Sequence, residues 1–166
     1  DKNRQIEFFT NDGTIETVGS DKPYDGRNPH MVGMDEIHAW REFHREFHDT
    51  MITGEGARDQ SLIAYITTAG SDSSHLWLEV YEYTRSVLLG TVDDPTFFAF
   101  AAELDEDDDP LDEANWIKAN PNLGVSVSLD YLRGQATKMG QTPVGIKRFT
   151  RYHGNRRVSS TSSAFD

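Results

Sequence analysis

Short apolar runs, and apolar residues that alternate with polar ones, predict the strands of this chain. Residues 6–10 and 14–18 flank the turn sequence Asn11-Asp12-Gly13, which predicts a β-hairpin. Three further apolar runs predict buried strands, one that starts at Met31 and leads to Asp35, one at 61–66 and one at 96–102.

Apolar residues three and four positions apart predict helices between these strands. The first predicted helix covers 37–50 and has one apolar face, formed by Ile37, Trp40, Phe43 and Phe47. The serines of 71–74 cap a second predicted helix, which ends near Gly90. Three more helices are predicted at 114–118, at 128–139 and from Pro143 onward. Because strands alternate with helices, we expect an α/β layered fold with a mainly parallel sheet, flanking helices and a helical C-terminal segment.

The segment Met31-Val32-Gly33-Met34-Asp35-Glu36-Ile37-His38 places two adjacent carboxylates at the end of an apolar strand. This is the pattern of a Walker B motif, in which the Asp organises Mg²⁺ through its water shell and the Glu activates the water that attacks the γ-phosphate. The simpler interpretation is a strand that ends in a solvated acidic pair and opens the next helix. Asp35 and Glu36 are therefore the candidate metal-organising residue and the candidate catalytic residue.

The strand predicted at 61–66 ends in Thr67-Thr68-Ala69-Gly70. Walker-type ATPases place small hydroxyl and glycine residues at the end of the strand beside Walker B, where they sense the γ-phosphate and transmit its loss. A strand followed by an ordinary Thr/Gly turn is the plainer alternative. Two strands in this order, each followed by suitable chemistry, favour a nucleotide site.

Composition and charge limit the class of protein. The chain has 166 residues, no cysteine and a formal net charge of −12. Without cysteine, no disulfide framework or thiolate metal site is available, so we expect a reducing compartment. No apolar run approaches the roughly 20 residues that span a bilayer, so we expect a soluble protein with no membrane partner. The negative charge argues against a broad nucleic-acid face. The basic last third leaves a DNA-contacting tail as a side hypothesis.

Five sequence landmarks occur in a fixed order along the chain. They are Asp25-Gly26-x-Asn28-Pro29, Met34-Asp35-Glu36-Ile37-His38-Ala39-Trp40, Ile66-Thr67-Thr68-Ala69-Gly70, Glu103-Leu104-Asp105-Glu106-x-Asp108-Asp109-Pro110 and Trp116-x-Lys118-Ala119-Asn120-Pro121-Asn122-Leu123-Gly124. Together, over about residues 13–155, they resemble one family, the large terminase subunit of tailed bacteriophages. In that family the subunit is the ATP-driven motor that packages viral DNA, with an N-terminal P-loop ATPase domain followed by a nuclease domain.

The resemblance implies roles for six residues. Asp35 would organise Mg²⁺ through water, Glu36 would be the catalytic carboxylate, and the coupling motif would consist of Thr67, Thr68, Ala69 and Gly70. It also implies ATP and Mg²⁺ as cofactors of the full-length family and the host cytoplasm as location. The implied partners are the small terminase subunit, the portal protein and double-stranded DNA, with a homo-oligomer as a further expectation.

The family also needs parts that the printed sequence lacks. A Gly-rich phosphate loop should precede Walker B, but residues 140–147 match only its first spacing and are interpreted as a helix that starts at Pro143. The nuclease carboxylates are expected beyond residue 166. We therefore expect a partial P-loop NTPase fold of the ASCE/RecA-like type that alone neither binds ATP tightly nor hydrolyses it. Its expected parts are a Walker B and coupling-motif part at 1–104, an acidic loop and helical segment leading to the nuclease domain at 105–158, and a polar tail at 159–166.

Several alternatives stay open. The chain could be a non-enzymatic prophage remnant or an assembly module, and residues 35–38 also spell the D-E-x-H signature of helicases. His44 and His48 could bind a metal, although a solvated helix is simpler, and the acidic run 105–109 lacks the ligand spacing of an EF-hand. Without a phosphate-loop strand, strand 61–66 would have an open edge, which we expect to be covered by strand 96–102 or by a second copy of the chain.

Overall fold

The computed structural model describes residues 5–10, 12–19 and 26–159. Asp25 of the first landmark, Asn11 of the hairpin turn and nearly all of the polar tail lie outside the described residues. The strands are β1 (Gln5–Phe8), β2 (Gly13–Glu16), β3 (Met31–Asp35) and β4 (Leu62–Ile66). The α-helices are α1 (Arg45–Thr53), α2 (His75–Leu88), α3 (Trp116–Ala119), α4 (Leu129–Met139) and α5 (Pro143–Tyr152). Short 3₁₀ turns occur at Ile37–Ala39, Glu42–His44, Gly54–Ala57 and Glu113–Asn115.

The chain forms two compact units. The first consists of Asp1–Val32 and Phe43–Ile63. Its hairpin β1–β2 is antiparallel, with Gln5 opposite Glu16, which confirms the hairpin prediction. Helix α1 buries His48 and Met51.

The second unit consists of Gly33–Glu42 and Ala64–Asp166. Its helical part has a core of Trp116, Leu132 and Phe149, from α3, α4 and α5. The hydroxyl of Ser128 caps α4 by accepting a hydrogen bond from the backbone of Tyr131, and the hydroxyl of Thr142 caps α5 in the same way. Pro143 occupies the first turn of α5, so the interpretation of this segment as a helix start is confirmed.

Strands β3 and β4 pair with each other. At one end of the pair the N–H of Leu62 donates to the carbonyl of His30 (2.9 Å), and at the other end the N–H of Glu36 donates to the carbonyl of Ile66 (2.8 Å). The starts of the two strands are joined by one of these hydrogen bonds and their ends by the other, so the strands are parallel. The two segments that follow these strands therefore leave the sheet at the same edge.

The strand predicted at 96–102 is wrong. Over these residues the backbone has no ladder, and the side chains of Phe98 and Phe100 are 90% and 74% exposed. At the end of this segment, the backbone forms hydrogen bonds with a different part of the chain. The carbonyl of Ala102 accepts from the side chain of Asn155 (2.8 Å), and the N–H of Leu104 donates to the carbonyl of Gly154 (3.0 Å). These partners lie just after α5 and hold only the end of this segment.

The helix predicted over 37–50 is wrong in its first half. Trp40 has an extended backbone (φ −70°, ψ 140°), and its indole N–H donates to the carbonyl of Asp35 (3.1 Å). Two 3₁₀ turns take the place of the first helical turns, and Phe43 is 71% exposed. The α-helix begins only at Arg45.

Within the described residues, the chain has a mixed α/β fold with two small sheets, one antiparallel and one parallel. β4 has β3 as its single partner strand in that part of the chain. The expectation that strand 96–102 covers the open edge of β4 is therefore wrong, whereas cover by a second copy stays a prediction. The mainly parallel, layered P-loop sheet also stays a prediction.

Candidate functional site

The acidic pair lies at the carboxyl end of β3. Asp35 is the last residue of the strand and is exposed, as is Glu36. Glu36 has a left-handed backbone (φ 53°, ψ 40°), which costs a residue with a side chain about 1–3 kcal/mol and is frequent at functional sites. The hydrogen bond from its N–H to Ile66 holds this turn against the end of β4.

The side chain of His38 joins Glu36 to the turn that follows β4. Its Nδ1 atom lies 3.1 Å from Oε2 of Glu36, 3.1 Å from the hydroxyl oxygen of Thr67 and 3.3 Å from that of Thr68. The backbone N–H of His38 also donates to the hydroxyl of Thr67 (3.3 Å). Sequence reasoning named the carboxylates and the threonines, and the structure brings Glu36, Thr67 and Thr68 together through a histidine that was noticed only as part of D-E-x-H.

The second half of the turn is buried. Ala69 is 4% exposed, and Gly70 packs so closely on Trp77 that an added Cβ would lie 2.6 Å from two ring carbons. The hydroxyl of Ser74, just before α2, donates to the carbonyl of His38 (2.8 Å). The hydroxyls of Thr67 and Thr68 thus face His38, whereas Ala69 and Gly70 anchor the turn in the core.

Two residues near the end of α5 hold Ala69 from the other side. The side-chain oxygen of Asn155 accepts from the N–H of Ala69 (2.7 Å), and its NH₂ group donates to the carbonyl of Ala102 (2.8 Å). Nε of Arg151 donates to the carbonyl of Ala69 (3.0 Å). Sequence reasoning missed both residues, because they lie 82 and 86 positions away along the chain and have no local motif.

A cavity of about 260 Å³ lies beside the turn. One wall is a stacked aromatic pair on α2, Trp77 and Tyr81, with ring centroids 4.7 Å apart. The hydroxyl of Tyr81 donates to Glu103 (2.8 Å), and burial is the main cause of the raised pKa of this phenol. The remaining lining comes from Ile37, the end of β4, the turn, two further residues of α2, the segment 100–103 and Asn155.

The charge on His38 depends on opposing effects. Burial lowers the pKa of the imidazole, nearby Glu36 acts to raise it, and Arg151 acts to lower it further. The net direction is downward. The neutral ring is therefore favoured at neutral pH, so that one ring nitrogen donates and the other accepts.

Among the described residues, no group of three or more His, Asp or Glu side chains is arranged to hold a metal ion. His48 is buried and bonds to the carboxylate of Asp49 (3.0 Å). In the acidic loop, the ammonium group of Lys118 lies 2.6 Å from Asp105 and 2.8 Å from Asp108. A magnesium ion organised through water by Asp35 is compatible with this arrangement, since water and phosphate supply most ligands of such an ion.

Family models account for nearly the whole chain. The model described as "Terminase large subunit, ATPase domain" matches residues 1–86, and the model described as "Terminase large subunit, endonuclease domain" matches residues 91–166. The chain belongs to the terminase large subunit family. The family resemblance found in the sequence is thereby confirmed. The match changes from the ATPase model to the endonuclease model between residues 86 and 91. The domain boundary that the sequence analysis placed at residue 104 stays a prediction.

Individual relatives agree with the family models. "Protein YmfN" of Escherichia coli (strain K12) is 33% identical over 142 residues, which is 86% of this chain and 31% of that protein. The "Terminase, large subunit" of Enterobacteria phage HK97 is 29% identical over 138 residues, covering 82% of this chain and 26% of that protein. The crystal structure of the HK97 bacteriophage large terminase is similar with a TM-score of 0.68 and 27% identity, over 82% of this chain and 27% of that one. The chain thus spans about a quarter to a third of the length of these relatives.

In the described part of the chain, no helix has both the length and the apolar character that crossing a membrane requires.

Proposed function

We propose that this chain contributes the acid pair and the coupling turn of an ATP-driven DNA-packaging motor encoded by a phage or prophage. The observation that carries the proposal is the meeting of two chain segments at one edge of a parallel strand pair. Glu36 and the hydroxyls of Thr67 and Thr68 lie around a single histidine nitrogen. Family membership supplies the ATPase activity and the endonuclease domain as context.

In the proposed mechanism each residue of the site has one task. Asp35 would hold a hydrated Mg²⁺ ion through its water shell, and the ion, bound with ATP, would make the γ-phosphate electrophilic. Glu36 accepts a hydrogen bond from the attacking water and orients it. Thr67 and Thr68 respond to the presence of the γ-phosphate, and Ala69 and Gly70 pass the change of the turn to the core around Trp77. A layered P-loop fold, with its phosphate loop, would complete the nucleotide site.

The partners follow from the same proposal. A packaging motor acts on double-stranded DNA at a portal protein, receives its substrate from a small terminase subunit and works in the host cytoplasm. Homo-oligomerisation would place a second copy beside the open edge of β4. We do not extend the proposal to a DNA-contacting basic tail, because Arg133 and Arg157 form ion pairs with Glu113, Asp72 and Glu82 of this chain.

The test is steady-state ATP hydrolysis by the complete natural polypeptide that contains these residues. We expect Glu36→Gln to lower kcat at least about 100-fold, because the amide cannot accept the proton of the attacking water, while ATP binding persists. Glu46→Gln is the matched control, since Glu46 is exposed on α1, and it should leave kcat unchanged.

Two results would contradict the proposal. Equal kcat for wild type and Glu36→Gln would exclude Glu36 as the catalytic carboxylate. Complete absence of ATPase activity in the wild-type polypeptide would favour the non-enzymatic remnant or assembly module. The 166-residue chain alone is expected to show no hydrolysis.

A further inference from the structure

The Nδ1 atom of His38 has more oxygen neighbours than one nitrogen can serve with separate hydrogen bonds. Three oxygens lie within 3.3 Å of it, from the carboxylate of Glu36 and the hydroxyls of Thr67 and Thr68. A ring nitrogen carries either one proton or one lone pair. The identity of its partners therefore decides whether Nδ1 carries the proton or the lone pair.

Counting protons favours one tautomer. The carboxylate of Glu36 has no proton to donate when ionised. The hydroxyl of Thr67 donates its single proton to the carbonyl of Thr68 (3.0 Å), so towards His38 it is an acceptor. The two oxygens nearest to Nδ1, both at 3.1 Å, therefore favour a proton on this nitrogen, while the hydroxyl of Thr68 at 3.3 Å fits either tautomer. In the Nδ1–H tautomer the proton lies between the carboxylate of Glu36 and the hydroxyl oxygen of Thr67.

The backbone of His38 is fixed, so the shared N–H is held in place. Its N–H donates to the hydroxyl of Thr67 and its carbonyl accepts from Ser74. Glu36, by contrast, has a side chain that is 55% exposed, while that of His38 is 14% exposed. Of the two partners of the N–H, the carboxylate is the one with room to move.

We propose, on the basis of the function proposed above, that His38 is a positioning residue that couples the orientation of Glu36 to the hydroxyl of Thr67 through one shared N–H. When the carboxylate of Glu36 turns towards the attacking water, the N–H of His38 passes fully to Thr67 and strengthens its hold on the turn. Loss of the γ-phosphate reverses the exchange. The state of the catalytic carboxylate is thus communicated to the coupling turn within one hydrogen-bond length.

The first test needs no ATPase activity. Long-range ¹H–¹⁵N NMR of the ¹⁵N-labelled 166-residue chain should show His38 as the Nδ1–H tautomer, and Glu36→Gln and Thr67→Val should each shift the Nδ1 resonance. Glu46→Gln should leave it unchanged. A dominant Nε2–H tautomer, or a resonance that neither substitution shifts, would overturn the proposal.

The second test compares three substitutions at one position in the complete natural polypeptide. The side-chain amide of Asn can donate near the position of Nδ1, whereas that of Gln reaches the position of Nε2 and Ala donates nothing. We expect His38→Ala and His38→Gln to lower kcat about 10–100-fold with KM for ATP within about threefold of wild type, because orientation is lost but binding is not. His38→Asn should recover most of the loss.

Urea unfolding of each variant separates this role from a purely structural one. If the Asn variant is as slow as the Ala variant at equal stability, or if KM changes and kcat does not, the positioning role is wrong. The proposed function can fail separately from this inference. If NMR shows the Nδ1–H tautomer of His38 but Glu36→Gln leaves kcat unchanged, the hydrogen-bond link stands and the proposed catalytic role of Glu36 in the motor is wrong.

Discussion

Gly70 lies where the turn after β4 meets the indole ring of Trp77. A Cβ at this position would stand 2.6 Å from two ring carbons and 3.0 Å from the Cβ of Ser74. Trp77 is 3% exposed and has little freedom to retreat. We expect Gly70→Ala to lower the free energy of unfolding by about 1–3 kcal/mol, as overpacking of a tight core does, measured by urea unfolding.

Gly134 provides the matched control for this substitution. It lies inside α4, and an added Cβ would meet nothing within 4 Å. Gly134→Ala should raise the free energy of unfolding by about 0.5–1 kcal/mol, because glycine is unfavourable inside a helix. Equal effects at the two positions would show that contact with Trp77 does not restrict residue 70.

The sequence revealed the residues of the site that carry a local pattern. Asp35 and Glu36 end an apolar run, and Thr67 to Gly70 end the next one, so both segments could be singled out without a structure. Arg151 and Asn155 could not be found in this way, since their side chains act on Ala69 across more than 80 positions. One weak signal was available for Asn155, because Asn tolerates the left-handed backbone that it adopts (φ 45°).

At the level of elements, predictions succeeded where periodicity and end signals agreed. α2, α4 and α5 have apolar periodicity, and all three were predicted. The serine cap predicted for α2 is wrong, because Ser74 makes no capping hydrogen bond and its hydroxyl donates to the carbonyl of His38 instead. The apolar run 96–102 looked like a strand, but a strand also needs a partner backbone, and sequence alone does not supply the partner. The segment instead bonds to the chain just after α5.

Asn155 links that segment to the turn after β4, and Asn155→Gly tests the link. Glycine keeps the left-handed backbone but removes both side-chain hydrogen bonds. We expect the free energy of unfolding to fall by about 1–3 kcal/mol, because the buried N–H of Ala69 loses its acceptor. Hydrogen exchange at the amide of Ala69 should become much faster.

Arg151→Met separates the two bonds to Ala69. It removes the donor to the carbonyl of Ala69 but leaves the bond from the N–H to Asn155. Exchange at the Ala69 amide should stay slow in this variant. Slow exchange in Asn155→Gly as well would mean that Asn155 does not protect the turn.

At the level of the whole molecule, the family was within reach of the sequence, whereas the arrangement around the candidate site was not. Ordered landmarks identified the terminase large subunit family, and the family models confirm it. The landmark residues Leu104 and Trp116 prove to be core residues, each 2% exposed. Part of the pattern that identifies the family is therefore explained by packing.

The stability of the whole chain should depend on pH through two partly buried imidazoles. Burial lowers the pKa of His153, whose ring lies 5.0 Å from that of Phe149 and 5.7 Å from that of Tyr131, and the pKa of His38 is lowered mainly for the same reason. As the pH falls below the ordinary value of 6.5, the unfolded chain binds protons that the folded chain does not. The unfolding free energy is therefore complete above this pH and is lost as the pH falls through the lowered pKa values.

Urea unfolding between pH 7.5 and pH 5.5, followed by the fluorescence of Trp116 and the other tryptophans, checks this prediction. Wild type should lose stability towards pH 5.5, and His153→Gln should lose less, because only the contribution of His38 remains of the two. The lost ring contacts shift the whole curve of the variant, so its slope is the quantity to compare. Gly134→Ala, which changes no titratable group and whose added Cβ meets nothing within 4 Å, should keep the wild-type slope. A slope for His153→Gln as steep as that of wild type would show that residue 153 takes up its proton equally well in the folded and the unfolded chain.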